Sequence, residues 1–219
     1  MQKGNKRTLF VGIGFLISFV LWSVLVYTVD VQAIGPQGSK VGLATINGFF
    51  CERIGVNTLL YEITDWLGLV PIAVAFGFAV LGLVQWIKRK SLLKVDRSLF
   101  ILGGFYLCVM AVYAFFEIVV INYRPTLIDG ILEASYPSST TLLVLCVMPT
   151  AVMQTNERIK NGVLKKCVAW LIVIFTAFMV IGRFFSGVHW FSDIFGGILF
   201  SVGLVLVYYS IWKGVSTDF

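Results

Sequence analysis

The chain has 219 residues, 58% of them hydrophobic and only 13% charged, with a formal net charge of +6. Soluble proteins run near roughly 45–50% apolar and about 25% charged, so a water-soluble globule could not cover this much apolar surface, whereas a bilayer can. The length implies one compact domain, and the basic residues lie between apolar runs, leaving no basic, aromatic-interleaved surface that would suit nucleic acid.

The first apolar run, Thr8 to Val29, follows Lys3, Lys6 and Arg7 and precedes Val31-Gln32-Ala33, the pattern of a signal peptide. It exceeds the roughly 7–15 residues of a signal core and reads as an uncleaved span. An outer segment follows over residues 30–65. Within its end, Asn57 to Leu67, helical spacing puts Leu59, Leu60, Ile63, Trp66 and Leu67 on one face. That face fits a helix lying on the membrane surface beside a lipid portal, and equally a packed lead-in to the second span.

Five further runs approach the about 20 residues that a bilayer core requires. They are Trp66 to Ile87, Leu99 to Ile121, Ser138 to Met153 (short, and containing Pro149), Cys167 to Phe184, and Trp190 to Trp212. The connecting loops alternate in charge. One set holds Lys3, Lys6, Arg7, Lys88, Arg89, Lys90, Lys94, Arg97, Arg158, Lys160, Lys165, Lys166 and Lys213, and the other only Lys40, Arg53, Arg124 and Arg183. The positive-inside rule puts the first set in the cytoplasm together with both termini, as an even number of spans requires. The expectation is an all-α integral membrane protein of the plasma membrane with six transmembrane helices. Residues 1–219 form a single membrane domain, with the first two spans and outer segment in 1–97 and a core in 98–212.

Topology then collects four polar clusters on the extracytoplasmic face. They are Asn122-Tyr123-Arg124-Pro125, Tyr136-Pro137-Ser138-Ser139-Thr140-Thr141, Gly182-Arg183-Phe184-Phe185-Ser186-Gly187 and His189-Trp190-Phe191-Ser192-Asp193. His189 is the only histidine, and Asp193 follows at i+4, where a carboxylate can fix the tautomer of an imidazole. Arg124 and Arg183 supply guanidinium forks suited to phosphate oxygens. Ser138, Ser139 and Thr140 offer hydroxyls and free N–H groups at a helix N-terminus. Glu117 stands seven residues before Arg124, and Asp129 and Glu133 are further candidate acids for which a solvated loop is the simpler expectation. The cysteines Cys51, Cys108, Cys146 and Cys167 form no C-x-x-C pair. They read as small buried apolar residues, with only Cys51 placed externally, and neither metal nor cofactor is expected.

These residues resemble the type-2 phosphatidic acid phosphatase family, whose motifs are K-x6-R-P, P-S-G-H and S-R-x5-H-x3-D. Here the counterparts are Glu117 with Arg124-Pro125, then Pro137-Ser138-Ser139-Thr140, then Gly182-Arg183 with His189 and Asp193. The resemblance implies a membrane lipid phosphatase in which the last four spans form the phosphatase-like bundle. His189 would attack phosphorus, Asp193 would orient it, Arg124, Arg183, Ser138 and Ser139 would hold the phosphoryl oxygens, and water would release phosphate. Four positions depart: Glu117 replaces a Lys, Gly182 a Ser, Ser139 a Gly, and Thr140 the His that protonates the leaving group. General-acid help is worth about 10²–10⁴ in rate, or roughly 3–5 kcal/mol. A leaving phosphate needs that help least, so a polyprenyl diphosphate is the favoured substrate. Glu117 is a possible acid if protonated in a dry site, but a pairing with Arg124 or Arg183 is the simpler expectation for it. The alternatives are a lipid phosphotransferase and a catalytically impaired protein that binds or transports lipid phosphates.

Overall fold

The structure, a computed structural model, describes residues 3–216, and among these every regular element is helical. The long helices are α1 (Lys3–Thr28), α4 (Leu69–Arg89), α5 (Arg97–Ile118), α6 (Ser139–Arg158), α7 (Gly162–Phe185) and α8 (Phe191–Ser216). Two shorter ones, α2 (Ala44–Ile54) and α3 (Thr58–Leu67), lie in the outer segment.

Five stretches are long and apolar enough to cross a bilayer: α1, α3 with α4, α5, α7 and α8. Their outward faces carry large exposed side chains such as Phe10, Phe76, Leu107 and Leu171, which acyl chains would cover. The remaining long helix, α6, falls short of that measure because Thr141, Thr150, Gln154 and Thr155 dilute it. Its central position permits this. Thr150 Oγ1 lies 3.1 Å from Tyr106 Oη, and Gln154 Nε2 donates to Tyr208 Oη at 2.8 Å and to the Ser98 carbonyl at 3.2 Å. Polar groups at membrane depth are tolerated when protein satisfies them. The contacts to Tyr106 and Ser98 set the second half of α6 antiparallel to the first half of α5, and the helix continues through Pro149 to Arg158, five residues past the predicted Met153.

α1 lies antiparallel along α8. Asn5 Nδ2 donates to the Ser210 carbonyl, Ser210 Oγ returns a bond to the Asn5 carbonyl, and Trp22 Nε1 reaches the Ser192 carbonyl. Midway a Cβ on Gly12 would sit 2.9 Å from the Gly203 carbonyl, so small residues let the two backbones approach. Asn5, Ser210, Ser98 and Arg158 therefore gather at one end of the bundle, near the basic connections, and the polar clusters at the other.

Three expectations are corrected. Of the cysteines only Cys146 is buried. Cys51 is half-buried, and Cys108 and Cys167 face outward, where hydrocarbon accepts a thiol as readily as a protein core does. The five residues Leu59, Leu60, Ile63, Trp66 and Leu67 do not share one environment. α3 packs on α7 through buried Thr64 beside half-buried Leu60 and Leu67, leaving Leu59, Ile63 and Trp66 exposed. It enters α4 through Gly68, whose φ −60°, ψ −20° is helical, so the lead-in geometry is the one that forms. Finally, α5 stops at Ile118 rather than Ile121. The chain leaves the helix at Val119 (φ −98°, ψ 82°) and turns into a hairpin that pairs the Arg124 N–H with the Glu133 carbonyl.

Candidate active site

The connection between α5 and α6 folds back on itself. The Arg124 N–H donates to the Glu133 carbonyl at 3.0 Å and the Ser135 N–H to the Asn122 carbonyl at 2.9 Å. The turn closes at Asp129 and Gly130, both with positive φ. This hairpin, not a helix end, carries Arg124, and it sets Ser135 beside it. The α7–α8 connection passes under the α2–α3 loop. Gly187 has φ +70°, and a Cβ there would meet the Gly55 carbonyl at 1.8 Å, so only glycine fits.

His189 and Arg124 are 6% and 8% exposed, and Arg183 is 1% exposed. Arg124 Nη1 lies 3.4 Å from His189 Nε2. An arginine nitrogen can only donate, so Nε2 is the acceptor and the ring proton belongs on Nδ1. Nδ1 faces Asp193 Oδ2 at 3.8 Å, too far for a hydrogen bond, and has no hydrogen-bond partner. Burial and the charges of Arg124 and Arg183 hold the imidazole pKa well below its usual range, against a smaller opposing pull from the Ser135 backbone. The ring is therefore neutral at neutral pH, with its Nε2 lone pair turned toward the Arg124 guanidinium.

Asp193 is fully buried and accepts four hydrogen bonds. Oδ2 takes Ser135 Oγ at 2.6 Å and the Trp190 N–H at 3.0 Å; Oδ1 takes Asn122 Nδ2 at 3.2 Å and Ser192 Oγ at 3.3 Å. A buried carboxylate requires such partners.

Each arginine already has a carboxylate. Arg124 Nε is 3.0 Å from Glu133 Oε2, and Arg183 Nη2 is 3.3 Å from Asp65 Oδ1. Arg183 also donates from Nη1 to Thr64 Oγ1, and its guanidinium lies 4.9 Å from the Tyr61 ring centre. The expected pairing of Glu117 with Arg124 or Arg183 is thus corrected. Glu117, exposed in the last turn of α5, makes no ion pair among the described residues, because nearer carboxylates hold both cations. It instead borders a small space together with His189, Ser139 and Ser135. Glu133 is likewise an arginine partner, not merely a solvated residue.

The predicted serines separate. Ser138 is fully buried and caps α6, its Oγ accepting the Thr141 N–H while its own N–H donates to the Asp193 carbonyl. Ser139 borders the His189 space. Thr140 and Ser139 border a larger cavity of about 520 Å³ between α4, α5 and α6, lined by Leu69, Ile72, Val109 and Leu143 with Asp65 at its polar end. The space beside His189 is only about 10 Å³, room for roughly one water.

A family model for the PAP2 superfamily matches residues 72–216. The chain belongs to the PAP2 superfamily. No curated protein matches it. Its fold is similar to the crystal structure of the first transmembrane PAP2 type phosphatidylglycerolphosphate phosphatase from Bacillus subtilis. That similarity has a TM-score of 0.59 at 18% identity, over 94% of this chain and 96% of the other. The chain is accordingly an integral membrane protein, and its PAP2 membership supports phosphatase activity on lipid phosphates. The PAP2 match begins inside α4. Asn47, Thr64 and Asp65, which reach into the site from α2 and α3, lie outside it.

Sequence reasoning gave no role to Ser135, nor to Asn122 and Ser192 inside the polar clusters, and missed Asn47 and Asp65. The first three border motif residues, and their positions beside Arg124, Pro137 and Asp193 are a usable signal. Asn47 and Asp65 carry none.

Proposed function

We propose that the protein removes a phosphate from a lipid phosphate at the outer membrane face through a phosphohistidine on His189. The observation that carries this is the neutral imidazole whose Nε2 lone pair lies 3.4 Å from the Arg124 guanidinium. Nε2 attacks phosphorus, a P–N bond forms, and the P–O bond to the lipid breaks. Arg124 and Arg183 neutralise charge on the equatorial oxygens, the assistance phosphoryl transfer most needs. The imidazolium proton on Nδ1 is drawn toward Asp193, and the 3.8 Å separation closes as the ring gains charge. Water then attacks phosphorus, the P–N bond breaks, and phosphate and neutral His189 are regenerated.

Substrate exchanges with the carboxylates on the arginines. The Glu133 and Asp65 side chains are 41% and 55% exposed. With the carboxylate halves open to water, a phosphate dianion can take their place on the buried guanidinium groups and widen the space beside His189. The apolar cavity between α4, α5 and α6 takes the lipid chain, with its polar end at Ser139 and Thr140. The site lies on the extracytoplasmic side, opposite the basic connections, with both termini cytoplasmic.

Thr140 sets the substrate preference. A threonine hydroxyl donates a hydrogen bond but is no acid at neutral pH, so a leaving group that departs as a stable anion is favoured. A polyprenyl diphosphate, cleaved to its monophosphate, fits that requirement. Thr140→His tests it in detergent assays of phosphate release. Hydrolysis of phosphatidate rises by about 10²-fold or more, while diphosphate cleavage changes far less. An equal rise on both substrates, or none on either, contradicts the assignment. Glu117, bordering the space with His189, is the one acidic side chain placed to assist the leaving group instead.

A further inference from the structure

The donors around Asp193 form a chain with a direction. Ser192 Oγ lies 2.9 Å from Asn47 Nδ2 and 3.3 Å from Asn122 Nδ2, and both amide groups donate to it. A serine hydroxyl has two lone pairs and one hydrogen. With the lone pairs occupied, the hydrogen is left for Asp193 Oδ1 at 3.3 Å. The hydroxyl cannot turn round without placing its hydrogen against an amide hydrogen.

Asn47 is fully buried, and all of its polar groups are used. Nδ2 also donates to the Gly42 carbonyl at 2.8 Å, and Oδ1 accepts the Ser192 N–H at 3.0 Å. That N–H belongs to the first turn of α8, where backbone donors lack helical partners. Asn47 thus caps α8 from another element and, separately, fixes the rotor that feeds the carboxylate facing His189. Asn122 repeats the link, since its Oδ1 accepts the Gly42 N–H at 3.1 Å. The backbone at Gly42 cannot shift aside to weaken the arrangement, because it is pressed on the Val26 carbonyl, where a Cβ would come within 1.5 Å.

The geometry points to Asn47 as a positioning residue of the phosphatase reaction, acting through Ser192 and Asp193 on the His189 imidazole. It lies on α2, outside the region matched by the family model, so the outer segment does more than cover the site. This rests on the phosphohistidine reading above. A structural role and a positioning role predict different outcomes. The N-cap to the Ser192 N–H survives replacement of the Ser192 side chain, whereas the rotor contact does not.

The test is a double-mutant cycle of Asn47→Ala and Ser192→Ala in the full-length protein, with His189→Ala as the inactive control. Each single variant lowers kcat by about tenfold and leaves KM within about twofold of wild type. The double variant turns over no more slowly than Ser192→Ala alone. Multiplying effects on kcat would overturn the proposal, as would a loss confined to KM. Asn47→Asp is the second variant should Asn47→Ala fail to fold. It keeps the acceptor for the Ser192 N–H and loses the donor to Ser192 Oγ, so its kcat falls as well; wild-type kcat in Asn47→Asp assigns Asn47 a capping role only and overturns the proposal.

A turnover-independent readout separates this from failure of the functional reading. His189 is the only histidine, so nitrogen NMR shows one pair of imidazole ring signals, Nδ1 and Nε2, without overlap from other histidines. Those signals move in Asn47→Ala and Ser192→Ala, and the double variant matches Ser192→Ala. If wild type hydrolyses no lipid phosphate yet the signals behave so, the wiring stands and the functional reading falls. Unmoved signals in Asn47→Ala remove the wiring, whatever the enzyme does.

Discussion

His189→Ala loses phosphate release from every lipid phosphate, by roughly 10⁵-fold or more. The size follows from the geometry. The imidazole is the one neutral nitrogen nucleophile among the groups bordering the site, and no second histidine exists to replace it. Ser139 borders the same space, but a neutral hydroxyl is a far weaker nucleophile at neutral pH than a neutral imidazole. The fold should survive, because the polar contacts of the ring are few: a 3.4 Å approach to Arg124 and the pull of the Ser135 backbone. The stability change is expected within the about 0.5–3 kcal/mol of ordinary substitutions. Comparing initial rates with thermal midpoints in detergent checks both halves. Activity above about one part in a hundred of wild type would remove His189 from the chemistry.

Arg183→Ala produces the second large loss, about 10³–10⁵ in kcat, the range of an arginine that neutralises a transferring phosphoryl group. Its side chain is buried, and its Nε has no hydrogen-bond partner among the described residues. That donor is free for a phosphoryl oxygen, while Nη1 and Nη2 rest on Thr64 and Asp65. Arg183→Lys recovers only a small part, because a point charge cannot present two parallel donors. Removing the guanidinium does not strand a buried anion, since Asp65 is more than half exposed. A loss in kcat with a modest change in melting temperature is therefore expected. Equal rates in Arg183→Lys and wild type would argue for simple charge neutralisation, and undiminished kcat in Arg183→Ala would remove the residue from the transition state.

The parts of the site readable from sequence are those joined by short, regular spacing. A spacing of four residues ties His189, just before α8, to Asp193 in its first turn, and the hydrophobic runs carry Arg183 and Arg124 to the same membrane face. Contacts arriving from distant segments were not readable. Asp65 takes Arg183 across 118 positions, and Asn47 takes Ser192 across 145; neither has a local pattern that marks it. Glu117 shows the converse. Its motif position suggested an ion pair, but the α5–α6 hairpin supplies Glu133 to Arg124 from closer range. The sequence counts six spans, whereas five stretches among the described residues are long and apolar enough; the difference is α6, whose polar side chains are satisfied inside the bundle. The face of α3 divided because Arg183 draws Thr64 inward, and the apolar residues on the other side are left for lipid. Patterning reports which residues share a face, and partners elsewhere decide which face turns in.

A direct chemical test traps the covalent intermediate. Terminally ³²P-labelled polyprenyl diphosphate is mixed with enzyme in detergent, quenched in alkali within one turnover, and the protein is digested and mapped. The account predicts an alkali-stable, acid-labile phosphoryl group on the peptide containing His189, chased by water and missing from His189→Ala. Steady turnover with no label on protein, or label on any other residue, would contradict it.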